Sequence, residues 1–194
     1  VTACRHIYET HGLHMVLYDG LRTTEAQQLM RETDIVKAHP QWLDGETRLL
    51  SPPGHGAHPR GMAIDLSLET ADGVLLDMGT PFDELAENGA GPDTNRAHRD
   101  YPGLLDDVRE NRDILTGAMV RAAEKLGVPF LPLPQEWWDF RFPADIYGAH
   151  DPLSDKDLPP QMQMTGGVKS IVPDFSSEHF EQKKQIILTR SANI

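Results

Sequence analysis

Apolar positions keep helical spacing from the start of the chain. Ala3, Ile7 and Tyr8 fall on a helical run that His11-Gly12 closes, so residues 2–11 read as a helix stopped by glycine. Leu13 to Tyr18 is a short apolar run ending at Asp19-Gly20, which predicts a strand and a turn. Thr24-Glu25-Ala26-Gln27 fits a capping box, and Ala26, Leu29, Met30 and Ile35 give a rough helical stripe after it. Between Lys37 and Gly56 the period breaks at Pro40, Gly45, Pro52, Pro53 and Gly54. A connection of that length in a compact domain is usually functional or mobile.

Alternation replaces helical spacing from Met62 to Leu68, as expected of a strand. Thr70-Ala71-Asp72-Gly73 reads as a hairpin turn and Val74 to Met78 as the returning strand. Residues 84–103 are polar and rich in Gly, Asn and Pro, a second long loop. Asn111 to Leu126 is the clearest helix, with Ile114, Leu115, Ala118, Met119, Ala122 and Leu126 on one stripe and Gly127 at its end. Val128 to Leu133 leads into a strand carrying Glu136 to Phe142. Beyond Pro143 the chain reads as loop, and residues 161–194 show weak periodicity. Gln185 to Thr189 is expected to form an edge strand or an arm onto a partner subunit, the one route to a homo-oligomer. With no repeat and no second domain, the expected fold is α+β: one domain, an antiparallel sheet flanked by helices.

Composition narrows the function. A chain of 194 residues can bury a core, and 39% hydrophobic with 25% charged residues excludes a disordered chain. The formal net charge of -12 argues against a nucleic-acid partner, because nothing neutralises phosphates over a surface. Cys4 is the only cysteine, so no intrachain disulfide and no cysteine zinc cluster exist. No apolar run approaches the ~18 residues that span a bilayer. The chain begins at Val1 as if inside a helix, so further N-terminal sequence is expected before it. The expected compartment is the cytoplasm, or the periplasm if a leader has been removed.

Chemistry gathers at two places. His58 and Asp65 stand seven positions apart around Gly61, and Glu136 and Asp139 stand three apart beside Trp137 and Trp138. Imidazole and carboxylate ligate zinc at about 2.0–2.2 Å, and a catalytic site keeps a position for water. On a strand Ala63 and Asp65 share a face, and Gly61 allows a close turn that brings His58 back toward Asp65. Glu136 and Asp139 on one strand would face opposite ways, so a common site requires the backbone to bend. Taken alone, His58 also reads as a solvated loop histidine, and the tryptophans as core and pocket wall.

His58-x-x-Gly61-x-Ala63-x-Asp65 resembles the signature of the M15 zinc peptidases. Glu136-Trp137-Trp138 resembles the second signature of their D-alanyl-D-alanine dipeptidase branch, where histidine usually follows. Tyr18-Asp19-Gly20-Leu21-Arg22 and Met78-Gly79-Thr80-Pro81-Phe82-Asp83 are similar to two further segments of that branch, in the same order. The resemblance covers about residues 13–142 and implies a metallopeptidase-like domain over 1–160, with 161–194 as an extension. It implies His58 and Asp65 as metal ligands, with Asp139 at the third-ligand position. Glu136 becomes general base and then general acid, and Arg22 stabilises the transition state. Asp83 holds the substrate ammonium, and Trp137 and Trp138 border the substrate. The implied cofactor is one Zn²⁺ per chain, the substrate a small dipeptide of the D-Ala-D-Ala type.

Asp139 departs from the family, and so do Gly56, where serine is usual, and Leu21, where an aromatic is usual. An aspartate ligand adds a negative charge, weakens the Lewis acid and shifts preference toward metals such as Mn²⁺. Three readings stay open: Asp139 ligates; His55 or His98 fills the position; or the protein binds without hydrolysing. A D,D-carboxypeptidase acting on peptidoglycan peptides is a close variant, separated by Asp83, since an ammonium clamp suits only a free dipeptide.

Overall fold

Four antiparallel strands in the order β1–β2–β4–β3 form the sheet, with strands His14–Asp19 (β1), Ala63–Glu69 (β2), Leu131–Pro132 (β3) and Asp139–Arg141 (β4). The computed structural model describes residues 1–44, 48–87 and 89–165. Helices Thr2–His11 (α1) and Asp106–Leu126 (α4) pack against each other and on the sheet. Ile7, Leu68, Leu115, Trp138 and Phe140 are fully buried between these layers. This is the α+β single domain that the patterning predicts. Short helices Thr24–Arg31 (α2), Asp34–Ala38 (α3) and Ala144–Tyr147 (α5) lie outside that core. Among the described residues no helix is long and apolar enough to cross a membrane.

Both long helices end where glycine permits it, Gly12 at φ 66° and Gly127 at φ 64°. Helix α4 begins five residues before the expected Asn111. Asp106 and Asp107 occupy its first turn, where carboxylates complement the helix dipole.

Several expectations need correction. Thr23, not Thr24, caps α2, its hydroxyl accepting from Ala26 N–H. Gln27 is therefore free to turn inward, donating to His55 O at 3.0 Å and accepting from Gly54 N–H at 2.8 Å. Ile35 leaves the stripe: it sits on α3 and is 62% exposed. The return strand at Val74–Met78 reduces to a single bridge, Glu69 to Leu75. Arg112 takes the Met78 carbonyl for itself, through Nε at 2.8 Å and through a second guanidinium nitrogen. Residues 143–160 are not all loop, since α5 and a 3-10 turn at Asp155–Asp157 with a Ser154/Asp157 capping box interrupt them. The Gln185–Thr189 arm lies outside the described residues.

The register carries the functional information. β2 pairs with β4 so that Asp65 faces Asp139 and Ala63 faces Arg141. β1 pairs with β2 in a regular ladder from His14 to Leu17, and then slips, so that Asp19 rather than Tyr18 faces Asp65. A bulge of this kind adds one residue and re-aims the side chain that follows. Three aspartates from three strands thus stand in one row at one end of the sheet.

Leu115→Ala should lower stability by about 2–5 kcal/mol in urea unfolding, because a leucine is removed from a closed core. Ile35→Ala should change it by less than ~0.5 kcal/mol, the ordinary result at an exposed position.

Candidate active site

His58 opens a tight turn, His58–Arg60, that Gly61 closes at φ 62° just before β2. Its carbonyl accepts from Arg22 N–H, and its Nδ1 lies 2.7 Å from Gly20 O. That second contact fixes the ring: Nδ1 carries the proton and Nε2 points at the aspartate row. Nε2 lies 3.2 Å from Asp139 Oδ2 and 3.5 Å from Asp65 Oδ1.

Each aspartate of the row has a cation. Asp19 accepts from Arg22 Nε at 2.8 Å and from Gly20 N–H at 2.7 Å. Asp139 accepts from Arg141 Nε at 2.7 Å on Oδ1 and from the Arg141 guanidinium again on Oδ2. Asp65 has less: Arg22 stands 3.8 Å from Oδ2, and the buried Oδ1 makes no hydrogen bond.

Electrostatics follow this packing. Burial works against a charged His58 imidazole, but Asp139 and Asp65 outweigh it and raise its pKa to about 10. Burial opposes ionisation of Asp139 too, yet Arg141 and His58 hold it down at about 2. Asp65 is pushed up by burial and by Asp139, with His58 opposing. Glu136 rises to about 8, through burial first and the Asp139 charge second. Burial acts against the Arg22 guanidinium, and Asp19, Asp83 and Asp65 overcome it.

Glu136 does not lie on the strand. Residues 133–138 form a turn between β3 and β4, closed by Leu133 N–H to Asp139 O at 2.9 Å and Asp139 N–H to Glu136 O. The bend lets Glu136 and Asp139 line one cavity despite their odd spacing. Arg99 fastens the turn from outside, donating to Leu133 O and Asp139 O at 2.8 and 2.9 Å.

The cavity holds about 220 Å³ and is lined by Arg22, His58, Asp65, Asp83, Glu136 and Arg141, among others. Asp83 sits at φ 60°, a left-handed conformation rare outside glycine and seen where a site imposes it. Phe82 beside it stacks on Tyr18 at 4.5 Å and meets Trp138 edge-on at 5.6 Å, which anchors the segment. Asp83 is open to solvent, and loss of hydration among the surrounding groups still lifts its carboxyl to about 6, with Arg22 opposing. Across the cavity, a Cβ built on Gly56 would lie 3.2 Å from Ser51 Oγ. A serine hydroxyl therefore stands beside the position where the usual serine is missing.

Could these residues hold a metal? Among the described residues, ligand atoms of Asp19, His58 and Asp65 converge within 4.8 Å of one another. Asp65 Oδ1, buried without a hydrogen bond, and His58 Nε2, which meets only carboxylate oxygens, together suit a positive centre between them. The donor set fits a divalent cation, with Asp19 and Asp139 as the two candidates for a third donor.

The sequence profile of M15 peptidases, described as D-Ala-D-Ala dipeptidases, matches residues 1–156. The chain belongs to the M15 peptidase family. It is 31% identical over 137 residues to the D-alanyl-D-alanine dipeptidase of Escherichia coli strain K12, covering 71% of this chain and 59% of that protein. The chain thus spans about three fifths of that relative's length.

Within this M15 peptidase, the expected residues divide in two. His58, Asp65, Glu136, Asp139, Arg22 and Asp83 come together around one cavity. Trp137 and Trp138 do not line it: they are 2% and 0% exposed and belong to the core, because their large apolar area is worth most there. His55 borders the cavity, whereas His98 is buried and bonds locally to Asp100 N–H. Two residues escaped the sequence reading. Asp19 reaches the row through a bulge that no pattern announces, whereas Arg141 stands two positions from Asp139 and shares its face by simple parity.

Arg99→Met removes both charged clasps on the Glu136 turn and leaves Leu133 O and Asp139 O with only their backbone donors. It should lower stability by about 1–3 kcal/mol, read as a shift in the urea midpoint.

Proposed function

We propose that this M15 peptidase is a metal-dependent dipeptidase acting on D-Ala-D-Ala-type dipeptides. The observation that carries the reading is a small cavity lined by charges of both signs, Arg22 and Arg48 with Asp83, together with the carboxyl of Glu136. At about 220 Å³ it is below the usual range for drug-sized ligands and suits a small zwitterion.

His58 and Asp65 would hold the metal, with Asp139 or Asp19 completing the set. The cation, Zn²⁺ or Mn²⁺, supplies Lewis-acid polarisation of a carbonyl and acidification of water. Everything else falls to the chain. Glu136 Oε takes a proton from the attacking water and returns it to the departing amine, and its raised pKa suits both directions. Arg22, fixed by Asp19, keeps its charge at any working pH and offers donors to the developing oxyanion. Asp83 pairs with the substrate ammonium. Arg48 and Ser51 border the cavity and offer a charge and a hydroxyl to the carboxylate end. A clamp for a free ammonium favours a dipeptidase over a carpoxypeptidase-type reaction on long peptides.

A second reading has one observation behind it. Asp139 is held by Arg141 on both oxygens, which favours a protein that binds a dipeptide without cleaving it.

Elemental analysis should find one divalent metal per chain, and the protein supplied with Zn²⁺, Mn²⁺ or Co²⁺ should release alanine from D-Ala-D-Ala. Glu136→Gln should cut kcat by about 10²–10⁴-fold while metal content stays unchanged. Metal uptake without turnover under all three metals would favour the binding protein, and neither metal nor turnover would end the metallopeptidase reading.

Asp83 gives a pH dependence. Its folded pKa is raised, so the carboxylate needed for the ammonium is lost as pH falls through about 6. The kcat/KM for the dipeptide should therefore rise with pH across that range, a profile that reports groups of the free enzyme. Asp83→Asn should make this limb less steep, leaving the rise that Glu136 ionisation gives, and raise KM more than it lowers kcat.

A further inference from the structure

Arg141 is assigned no role by the family signatures, yet it lines the cavity and makes the most complete ion pair in it. Asp139 is 0% exposed and sits at the centre of the sheet's functional end, facing Asp65 directly across β2 and β4. Like charges directly opposite one another repel. Arg141 answers that repulsion from the same strand face, two residues along. Its partner across β2 is Ala63, whose small side chain leaves room for the guanidinium to reach back. Both Asp139 oxygens are taken, Oδ1 by Nε and Oδ2 by the fork's second nitrogen, the geometry that a planar guanidinium forms with a carboxylate.

The electrostatic result concerns any cation placed at His58 Nε2 and Asp65 Oδ1. A bare aspartate at position 139 would add one negative charge to that place. A neutral ligand would add none. Asp139 together with Arg141 also adds none.

We propose that Arg141 is a charge-compensating positioning residue for the metal site: it turns Asp139 from an anionic ligand into half of a neutral pair. The inference rests on the metallopeptidase reading. Arg141 then limits how tightly a divalent cation is held, and it preserves the cation's polarising power by keeping Asp139 from donating its full charge. The residue acts through Asp139 and does not touch the reacting atoms.

Titration of the apo-protein with Zn²⁺ and with Co²⁺, by competition against a chromophoric chelator, tests this without any measure of turnover. Arg141→Gln should tighten cation binding at least about tenfold, because a fixed positive charge within a few ångströms is gone. Asp139→Asn should weaken it by about tenfold or more, because Arg141 is then an unopposed cation. The double variant Asp139→Asn/Arg141→Gln should return to within about threefold of the starting affinity, the coupling expected of two residues acting as one unit. Arg141→Lys keeps the charge and should also stay near the starting value. The Co²⁺ absorption spectrum should shift in Arg141→Gln, as Asp139 becomes a full donor, and stay unchanged in Arg141→Lys.

A gain in affinity is not a result that damage to the fold produces. The double variant covers the case in which Arg141→Gln fails to fold, since it leaves no unpaired buried charge. Unchanged or weaker binding by Arg141→Gln overturns the inference, and so does a double variant no closer to the starting affinity than Asp139→Asn. Turnover of D-Ala-D-Ala by the unaltered protein, measured beside these titrations, separates failure of this inference from failure of the dipeptidase reading. Absence of cation binding in every form overturns both.

Discussion

Three aspartates in one row, Asp19, Asp65 and Asp139, are the constraint on which the remainder of the site depends. Carboxylates directly opposite on neighbouring strands repel, so this row is stable only where cations come to it. They arrive from three places. Arg22 reaches Asp19 from the turn after β1, His58 reaches Asp65 and Asp139 from the turn before β2, and Arg141 reaches Asp139 from two residues further along β4. The bulge in β1, the left-handed Gly61 and the β2–β4 register each serve to bring one of these pairs together. Shifting any strand by one residue would turn its aspartate to the other face and leave a buried cation unopposed.

The same row explains why the site's other acids are hard to ionise. Glu136 and Asp83 both feel it: loss of hydration among the surrounding groups raises each pKa first, and neighbouring aspartates add to the shift. A carboxyl poised near neutrality can both accept and return a proton, which suits the general base proposed at Glu136. His58 shows the converse. Its imidazole is driven toward the charged form because the row wants a positive centre at Nε2. A divalent cation held at His58 would therefore compete with a proton for one position.

Much of the scaffold was legible because local signals agree with the fold. Gly12 and Gly127 stop α1 and α4 as glycine should, and the alternation of β2 announces a strand, although Asp65 and Ser67 are buried along with Leu66 and Leu68. His58, Asp65 and Glu136 could be picked out by type and spacing. Long-range choices were not legible. Nothing local tells that Tyr18 is skipped so that Asp19 faces Asp65, or that residues 133–138 turn and carry Glu136 into the cavity. Gln27 resembled part of a capping box, but its amide serves the loop at Gly54 and His55 instead. Trp137 and Trp138 sit next to Glu136 in sequence, yet they belong to the core and not to the cavity that Glu136 lines.

Asp139 shows why transfer of ligands one position at a time misjudges such a site. Read alone, an aspartate in place of histidine adds a negative charge and weakens the Lewis acid. Read with Arg141 it adds none, and Arg141 lies just past the signature segment. The pair is no route to extra stability, because desolvating two ions costs about as much as their attraction returns, and an apolar pair often does as well. Its value lies in keeping the place at His58 and Asp65 electrically equivalent to one with a neutral ligand. It follows that Asp139→His by itself is not a reversion. It would supply an imidazole and strand Arg141 beside the cation with no carboxylate to face, so the ligand and the charge have to be changed together.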